Sequence, residues 1–302
     1  MTTLFQRLVM YLRETSQWKV PVISSMFRSK LPHWSSENIS DQWFTDHFEG
    51  AAPIIHEWLN AEMEMPGASL LDFGCGDGIT DLAIALKYRP KNMIGVDITS
   101  TFTNLNEIAA RQIGLNRLPK NLSFQKIVPG QGLVHILKID AIFTWSTFEH
   151  IERPHLDTVV ADLFDLLPQG GLFFLQIEPL YYSPFGSHLG RFIKQPWAHL
   201  LLDEETLKRT VLEYSDDIPA NEKEYNFYVR TFEEYKAFIY GEFLKLNKLT
   251  AEEVVDLFCG HGFKEIRKES YRVALPVPDI LLEKYPEEDI LTNEIRLLLQ
   301  KP

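Results

Sequence analysis

The sequence predicts an α/β fold: an open, doubly wound, mostly parallel sheet with helices on both faces. Three observations predict it. Short apolar runs alternate with helix-period segments from Ser69 to Ile177, the pattern of β-α-β units joined by right-handed crossovers. The first apolar run passes directly into Leu70–Thr80, LLDFGCGDGIT, where an acid is followed by three glycines at alternate positions. A length of 302 residues with 45% hydrophobic content is enough for one large core with additions.

Taken in order, Met1–Gly50 carries Trp18, Trp34, Trp43, Phe44 and Phe48, too aromatic for a floppy tail, and reads as an N-terminal cap. Within it Phe5, Leu8, Val9 and Leu12 lie at helical spacing, flanked by Arg7, Arg13, Lys19, Arg28 and Lys30 against Glu14 alone. Such a basic amphipathic helix suits a peripheral membrane or lipid-linked substrate contact, or packing on an acidic body or second subunit. The first strand is Ser69–Phe73. Gly74, Gly76 and Gly78 then let the backbone turn and approach a ligand where a Cβ would intrude. A helix follows over Thr80–Tyr88, stopped by Pro90, then a strand at Asn92–Asp97 and a helix at Thr101–Gln112 with Gly114 placed as a left-handed cap. Strands are expected at Leu122–Val128, Asp140–Thr144 and Leu172–Ile177, with a helix at Pro154–Leu167 before the last.

The segment Glu178–Lys248 interrupts this alternation. It contains PLYYSPFGSH, the pair Pro196–Trp197, and a helix over Phe232–Leu246 introduced by Thr231 and Glu234. After it, Thr250 and Glu253 form a capping box, the helix runs to Cys259, Gly260 ends it, and strands follow at Phe263–Arg272 and Ile290–Gln300. The chain thus divides into a cap (1–50), a nucleotide-binding core (51–177), an insert (178–248) and a completing segment (249–302). The cap and insert are candidate walls or lids, because open sheets bind ligands beyond the carboxyl ends of their strands.

Composition narrows the function. A net charge of −12 would repel phosphate backbones and argues against nucleic acid as a partner. Cys75 and Cys259 are far apart and encode neither a disulfide framework nor a zinc cluster. No apolar stretch reaches the length of a membrane span, so a cytoplasmic location is expected. A dinucleotide fingerprint would need a third glycine at position 79, where Ile79 stands. Asp97, about twenty residues on, ends the second strand where a carboxylate accepts hydrogen bonds from ribose hydroxyls. The pattern describes an adenosine site without a pyrophosphate.

At these residues the chain resembles the class I S-adenosylmethionine-dependent methyltransferases. Asp72, Gly74, Gly76, Gly78 and Asp97 match the first two motifs, Asp140–Ile151 (DAIFTWSTFEHI) looks like the fourth-strand segment, and Leu167–Ile177 (LPQGGLFFLQI) like the fifth. The resemblance resumes at Leu249–Phe263. It implies a Rossmann-like sheet of seven strands whose last two form an antiparallel edge, and S-adenosyl-L-methionine held by Asp72, Gly74, Cys75, Gly76, Gly78, Asp97 and Ile98, bordered by Trp145 and Ser146. The third-strand motif, Val128–Gly132, lacks the acid common near the adenine amino group, which leaves Gln131 or backbone to recognise adenine.

The expected acceptor is a small-molecule or glycan hydroxyl, whose weakly acidic proton calls for a base near neutral pKa. His150, directly after the fourth strand, is the leading candidate, with His188 and His199 in the insert. The segment STFEHI also resembles the E-x-x-E-H element of metal-assisted O-methyltransferases. Glu149 and His150 match, but Ser146 replaces the first glutamate and leaves a hard cation one anionic ligand short, so no divalent metal is expected. Tyr181, Tyr182, Phe185 and Trp197 are the expected acceptor pocket. The alternatives are nitrogen or carbon methylation, an aminopropyl transfer on the same fold, or a non-catalytic methyltransferase-like subunit. An oligomer is compatible with all of them.

Overall fold

The computed structural model describes residues 33–129, 133, 138–215 and 231–302. The basic amphipathic segment around Phe5–Leu12, Trp18 and the adenine candidate Gln131 lie outside the described residues. Seven strands form one sheet in the order β3-β2-β1-β4-β5-β7-β6, where β1 is Ser69–Phe73, β2 Asn92–Asp97, β3 Leu122–Lys126, β4 Ala141–Trp145, β5 Leu172–Ile177, β6 Lys264–Arg272 and β7 Thr292–Gln300. The pairings β3-β2-β1-β4-β5 are parallel, while β7 runs antiparallel to both β5 and β6. The strand order reverses between β1 and β4, which makes the crevice above their carboxyl ends the topological switch point.

Side chains of the central strands alternate between the two faces, as the strand period demands. Leu70 and Phe174 join Trp58, Leu82 and Ile108 on one face, beneath the helices Ala52–Asn60, Ile79–Lys87 and Leu105–Ile113. Leu71 and Phe173 join Val160, Leu163 and Phe258 on the other, beneath Leu156–Leu166 and Ala251–Gly260. Phe173 and Phe174 are both fully buried, and each contributes about 1.5–3 kcal/mol by leaving water. The two layers make the doubly wound core that the alternation predicts.

Several local signals act as expected. Gly114 caps its helix at φ 67, and the capping boxes at Thr231/Glu234 and Thr250/Glu253 are both formed. Several boundaries shift by a residue or two: β3 ends at Lys126 rather than Val128, and Gly260 is the last residue of its helix, the left-handed turn falling to Gly262 at φ 96. The helix expected from Thr101 opens with a tight turn at Thr101–Asn104 before Leu105–Ile113. The last strand begins at Thr292 rather than Ile290, because Pro286 starts a short helix over Glu287–Leu291 that runs into it. Within the cap, Phe44 and Phe48 are buried against the first layer, and a π-helical turn at Asp46–Ala51 carries the chain into Ala52–Asn60.

The insert has its own small core of Leu189, Phe192, Ile193, Leu207, Val211, Tyr235, Tyr240 and Phe243. It leaves from the carboxyl end of β5 and returns at Asn247, beside the turn after β4.

Candidate functional site

The crevice is built by the loop after β1. Gly74, Gly76 and Gly78 all adopt positive φ, at 90, 53 and 79, a region that costs other residues roughly 1–2 kcal/mol each. The glycines differ in what surrounds them. A Cβ on Gly74 would collide with the Thr147 side chain, and one on Gly78 would lie 2.5 Å from Phe124. A Cβ on Gly76 would meet nothing within 4 Å. Neighbouring protein therefore demands glycine at the outer two positions, while Gly76 faces open space that a ligand can occupy. Gly74 and Cys75 donate their backbone N–H groups to the Val96 carbonyl at 2.8 and 3.1 Å, which ties the loop to β2.

Asp97, at the end of β2, closes the far side. Its Oδ2 accepts from Gly76 N at 2.9 Å, and its Oδ1 accepts from Thr99 N at 2.6 Å and Thr99 Oγ1 at 2.7 Å. An ionised carboxylate offers about four acceptor sites, so Oδ2 keeps capacity for a ribose hydroxyl. The Thr101 hydroxyl donates to the Gly76 carbonyl at 2.7 Å. Ile98, next in sequence, leaves 57% of its surface exposed, an apolar face at the rim of the same crevice. The donor set and the open Gly76 cradle fit an adenosine-bearing ligand. Cys75 is buried among acids, and burial pushes its thiol pKa well up, so it packs rather than reacts.

Beneath the loop, Asp72 and Asp81 lie in contact and are almost wholly buried. Apart from each other, Asp72 Oδ1 and both Asp81 oxygens have no hydrogen-bond partner among the described residues. Burial first, then mutual repulsion, drives Asp72 upward, and burial pushes Asp81 to about 7. The pair is most stable sharing a proton, since two adjacent carboxylates cannot both ionise cheaply in low dielectric. The Asp81 position was not apparent from the sequence, because it depends on helix Ile79–Lys87 turning its first face back under β1. Asp77, in the loop itself, accepts from Ile79 N at 3.0 Å and from the Trp43 indole at 2.7 Å, so the cap braces the loop.

The second half of the site follows β4. Trp145 is half-buried with the Arg296 guanidinium 5.9 Å from its ring, and Ser146 adopts positive φ, at 48. Ser146 N donates to Gln176 O at 3.0 Å, and its hydroxyl donates to Gln176 Oε1 at 3.0 Å and the Glu178 carbonyl at 3.2 Å. Gln176 is in turn held by Glu294 at 3.1 Å. The following turn, Phe148–His150, is clasped by Asn247, whose side-chain amide donates to the Phe148 and Ile151 carbonyls at 2.5 and 3.2 Å and whose backbone N–H donates to the Glu149 carbonyl at 3.1 Å. Gln176 and Asn247 are positioning residues that local sequence reading misses, since their partners lie on other strands or across the insert.

Glu149 is 5% exposed, and neither of its carboxylate oxygens has a hydrogen-bond partner among the described residues; burial pushes its pKa to about 8. The His150 and His188 rings lie 4.9 Å apart. One ligand atom from each of Glu149, His150 and His188 falls within 4.8 Å of the others. Burial lowers the His150 pKa, opposed by the Glu242 carboxylate, and takes His188 to about 3 with help from His150 and His199. Both rings are therefore neutral at pH 7. His199, lowered to about 4, engages the Tyr181 carbonyl through Nε2 at 2.6 Å, and its Nδ1 is buried without a partner among the described residues.

Of the expected acceptor residues, Tyr181 and Tyr182 meet edge to face at 5.3 Å and Tyr182 continues to Tyr285 at 5.4 Å, while Phe185 is 40% exposed. Trp197 departs from expectation. It is 2% exposed, packs with Leu281, Ile290 and Leu291, and donates its indole N–H to the Ile290 carbonyl at 3.2 Å. It anchors the insert to the segment before β7 instead of lining open space.

Comparison with known proteins bears on this geometry. The chain matches the family described as “Methyltransferase domain” over residues 45–228. It is similar to a ubiquinone biosynthesis O-methyltransferase of Psychrobacter arcticus, at 30% identity over 131 residues that cover 43% of this chain and 48% of the relative. The protein of the same description from Psychrobacter cryohalolentis is 26% identical over 131 residues, with shares of 43% and 48%. The chain spans about half the length of the curated relatives it matches. Among solved structures, an S-adenosylmethionine-dependent methyltransferase from Mesorhizobium loti aligns with a TM-score of 0.48 and 15% identity, covering 84% of this chain and 99% of that one.

Proposed function

The chain belongs to the methyltransferase-domain family, and from that premise we propose that it is an S-adenosylmethionine-dependent O-methyltransferase acting on a hydroxyl of a small molecule or glycan. The observation that carries this reading is the junction of the two half-sites. Gly74 has no room for a Cβ because Thr147 is packed on it, so the adenosine crevice adjoins the turn that presents Glu149 and His150. The descriptions of the two Psychrobacter relatives support oxygen as the methylated atom.

When bound, the donor supplies a methyl group already activated by its sulfonium charge. The protein's part is then to orient the acceptor, exclude water and deal with the acceptor's proton. Asp97 would hold the ribose through Oδ2, Gly76 would admit the ligand against the backbone, Ile98 would flank the adenine, and Trp145 and Ser146 would border the methionine end. The histidine cluster receives the hydroxyl proton. His150 is the stronger base of the facing pair, since Glu242 opposes its lowering while His150 and His199 both add to that of His188. Tyr181, Tyr182 and Phe185 form the acceptor wall and make the insert the part that selects the substrate.

Isothermal calorimetry with S-adenosylhomocysteine tests the donor site, and incubation with labelled donor and a panel of phenols, catechols and sugars tests the acceptor class. One-to-one product binding and label in an alkali-stable ether are expected. Label found only on nitrogen acceptors would overturn the oxygen assignment, and absence of donor-product binding would overturn the reading as a whole.

A further inference from the structure

We propose that Glu294 and Arg296, on β7, are positioning residues for the methyl transfer: acting through Gln176 on β5, they hold Ser146 in its left-handed conformation and so set the turn after β4 against the glycine loop. The inference rests on the methyltransferase reading for its consequence at the donor crevice, and on the geometry alone for the relay itself.

The first support lies in the backbone. Ser146 has φ 48, a region that residues other than glycine, asparagine and aspartate seldom enter, because Cβ crowds the following carbonyl oxygen. Such a residue persists only where its surroundings over-determine it. Here both of its donors converge on one side chain: Gln176 Oε1 accepts from Ser146 N at 3.1 Å and from Ser146 Oγ at 3.0 Å. Gln176 is fully buried, so its amide answers to protein partners alone.

An amide can sit either way round, and β7 decides which. Glu294, 6% exposed, is paired with Arg296, whose Nε donates to Glu294 Oε1 at 2.6 Å. An ionised carboxylate only accepts, so the donor at 3.1 Å from the same oxygen is Gln176 Nε2. With its nitrogen committed to Glu294, Gln176 must turn its oxygen to Ser146. The Arg296 guanidinium is anchored in turn by the Tyr271 hydroxyl at 3.3 Å, and it lies 5.9 Å from the ring of Trp145, the residue before Ser146. The relay thus runs from the antiparallel edge of the sheet to the turn. Its last step reaches the donor loop: Thr147, directly after Ser146, donates its hydroxyl to the Gly74 carbonyl at 3.3 Å and fills the space that a Gly74 Cβ would need. Relaxing Ser146 to an ordinary φ would swing Thr147 away from Gly74. Glu294, Arg296 and Gln176 act through Ser146, which makes them positioning residues and not catalytic ones.

The test uses the full chain and needs no acceptor. Gln176→Met keeps the volume but removes the amide. Gln176→Glu combined with Glu294→Gln exchanges the two groups and keeps every bond: the new carboxylate accepts from Ser146 and from the new amide, whose oxygen accepts from Arg296. Glu294→Met combined with Arg296→Met removes both charges together and leaves no unpaired ion. Amide hydrogen exchange over Trp145–Ile151 in the unliganded chain should quicken at least tenfold in Gln176→Met, at least threefold in the double methionine variant, and stay within threefold of the parent in the exchanged pair. Calorimetry with S-adenosylhomocysteine should show affinity losses in the same order, with a melting curve for each variant to exclude global unfolding. Ser146→Gly, which takes positive φ unaided, should shrink the affinity cost of Gln176→Met at least threefold. Parent-like exchange in Gln176→Met or in the double methionine variant, or a loss in the exchanged pair equal to that of Gln176→Met, would overturn the relay, and an unchanged cost in the Ser146→Gly background would overturn the route through Ser146. Exchange in the expected order with no product binding by the parent leaves the relay standing and defeats the methyltransferase assignment. Product binding that is indifferent to all three variants defeats the positioning role and leaves that assignment standing.

Discussion

Replacing Asp97 gives the sharpest test of the donor crevice, because its carboxylate has two jobs that different substitutions separate. It accepts three local hydrogen bonds, from Gly76 N at 2.9 Å, Thr99 N at 2.6 Å and Thr99 Oγ1 at 2.7 Å, and it is proposed to accept a further one from the ribose. Asp97→Ala removes all of them. At about 1 kcal/mol net for each half-buried bond, the fold should lose on the order of 2–3 kcal/mol, which a large domain tolerates. The bond to the ligand is charge-assisted, so affinity for S-adenosylhomocysteine should fall by a further ~1.5–3 kcal/mol, about 10- to 150-fold. Asp97→Asn is more discriminating. Its single carbonyl can satisfy Thr99, but the amide then points a donor at Gly76 N, where only an acceptor fits, and offers the ribose an uncharged group in place of a carboxylate. Both variants should therefore bind product weakly in calorimetry, with the asparagine variant closer to the parent in melting temperature. Unchanged affinity in a folded alanine variant would refute the ribose assignment.

Gly76→Ala should still fold, since its Cβ meets no protein atom within 4 Å, at a cost of about 1–2 kcal/mol for its φ of 53, yet weaken product binding at least tenfold if that space is the ligand's; calorimetry beside a melting curve checks both halves. Asp81→Asn tests the shared proton. A carboxyl raised to about 7 in the fold from an ordinary 3.8 gives stability that is full below about pH 4 and is lost as pH rises through 7, so the melting temperature of the variant should gain on the parent between pH 5 and 8, and a pH-independent difference would sink the pairing. His150→Ala should lower turnover about 10²–10⁴-fold with donor affinity unchanged; an equal loss of product binding would make it a cofactor contact.

The glycine loop and the acid ending β2 were legible in the sequence because their determinants are local. A strand end, three glycines and a second acid about one β-α unit later specify backbone conformations and a carboxylate position that no distant contact needs to supply. Helix ends at Gly114, Thr231 and Thr250 were legible for the same reason. The surroundings of His150 were not. His188 reaches His150 only because the insert folds back over the turn after β4, and Asn247, about one hundred positions from the carbonyls it clasps, is an ordinary asparagine until the chain has closed. Trp197 shows the converse error: aromatic character beside a proline marks a side chain that will be buried, but not against what, and here the partners are Leu281 and Ile290.

That contrast reflects how the fold divides its labour. The sheet rests on two continuous hydrophobic layers, so the donor crevice inherits the rigidity of the core. The insert rests on a smaller cluster of its own and is tied down at particular points: Leu180 N to the Asn293 carbonyl at 2.8 Å, Trp197 to Ile290, and Asn247 to the turn bearing Glu149 and His150. Elements with few ties open at lower free energy than the global fold, and the proposed acceptor would have to enter a chamber that later excludes water. The proposed reacting groups bridge the two parts, with Glu149 and His150 on the turn after β4 and His188 in the insert. On the proposed reading, assembly of the chemical site would be conditional on the insert being seated, whereas the glycine loop and Asp97 are held by the core itself.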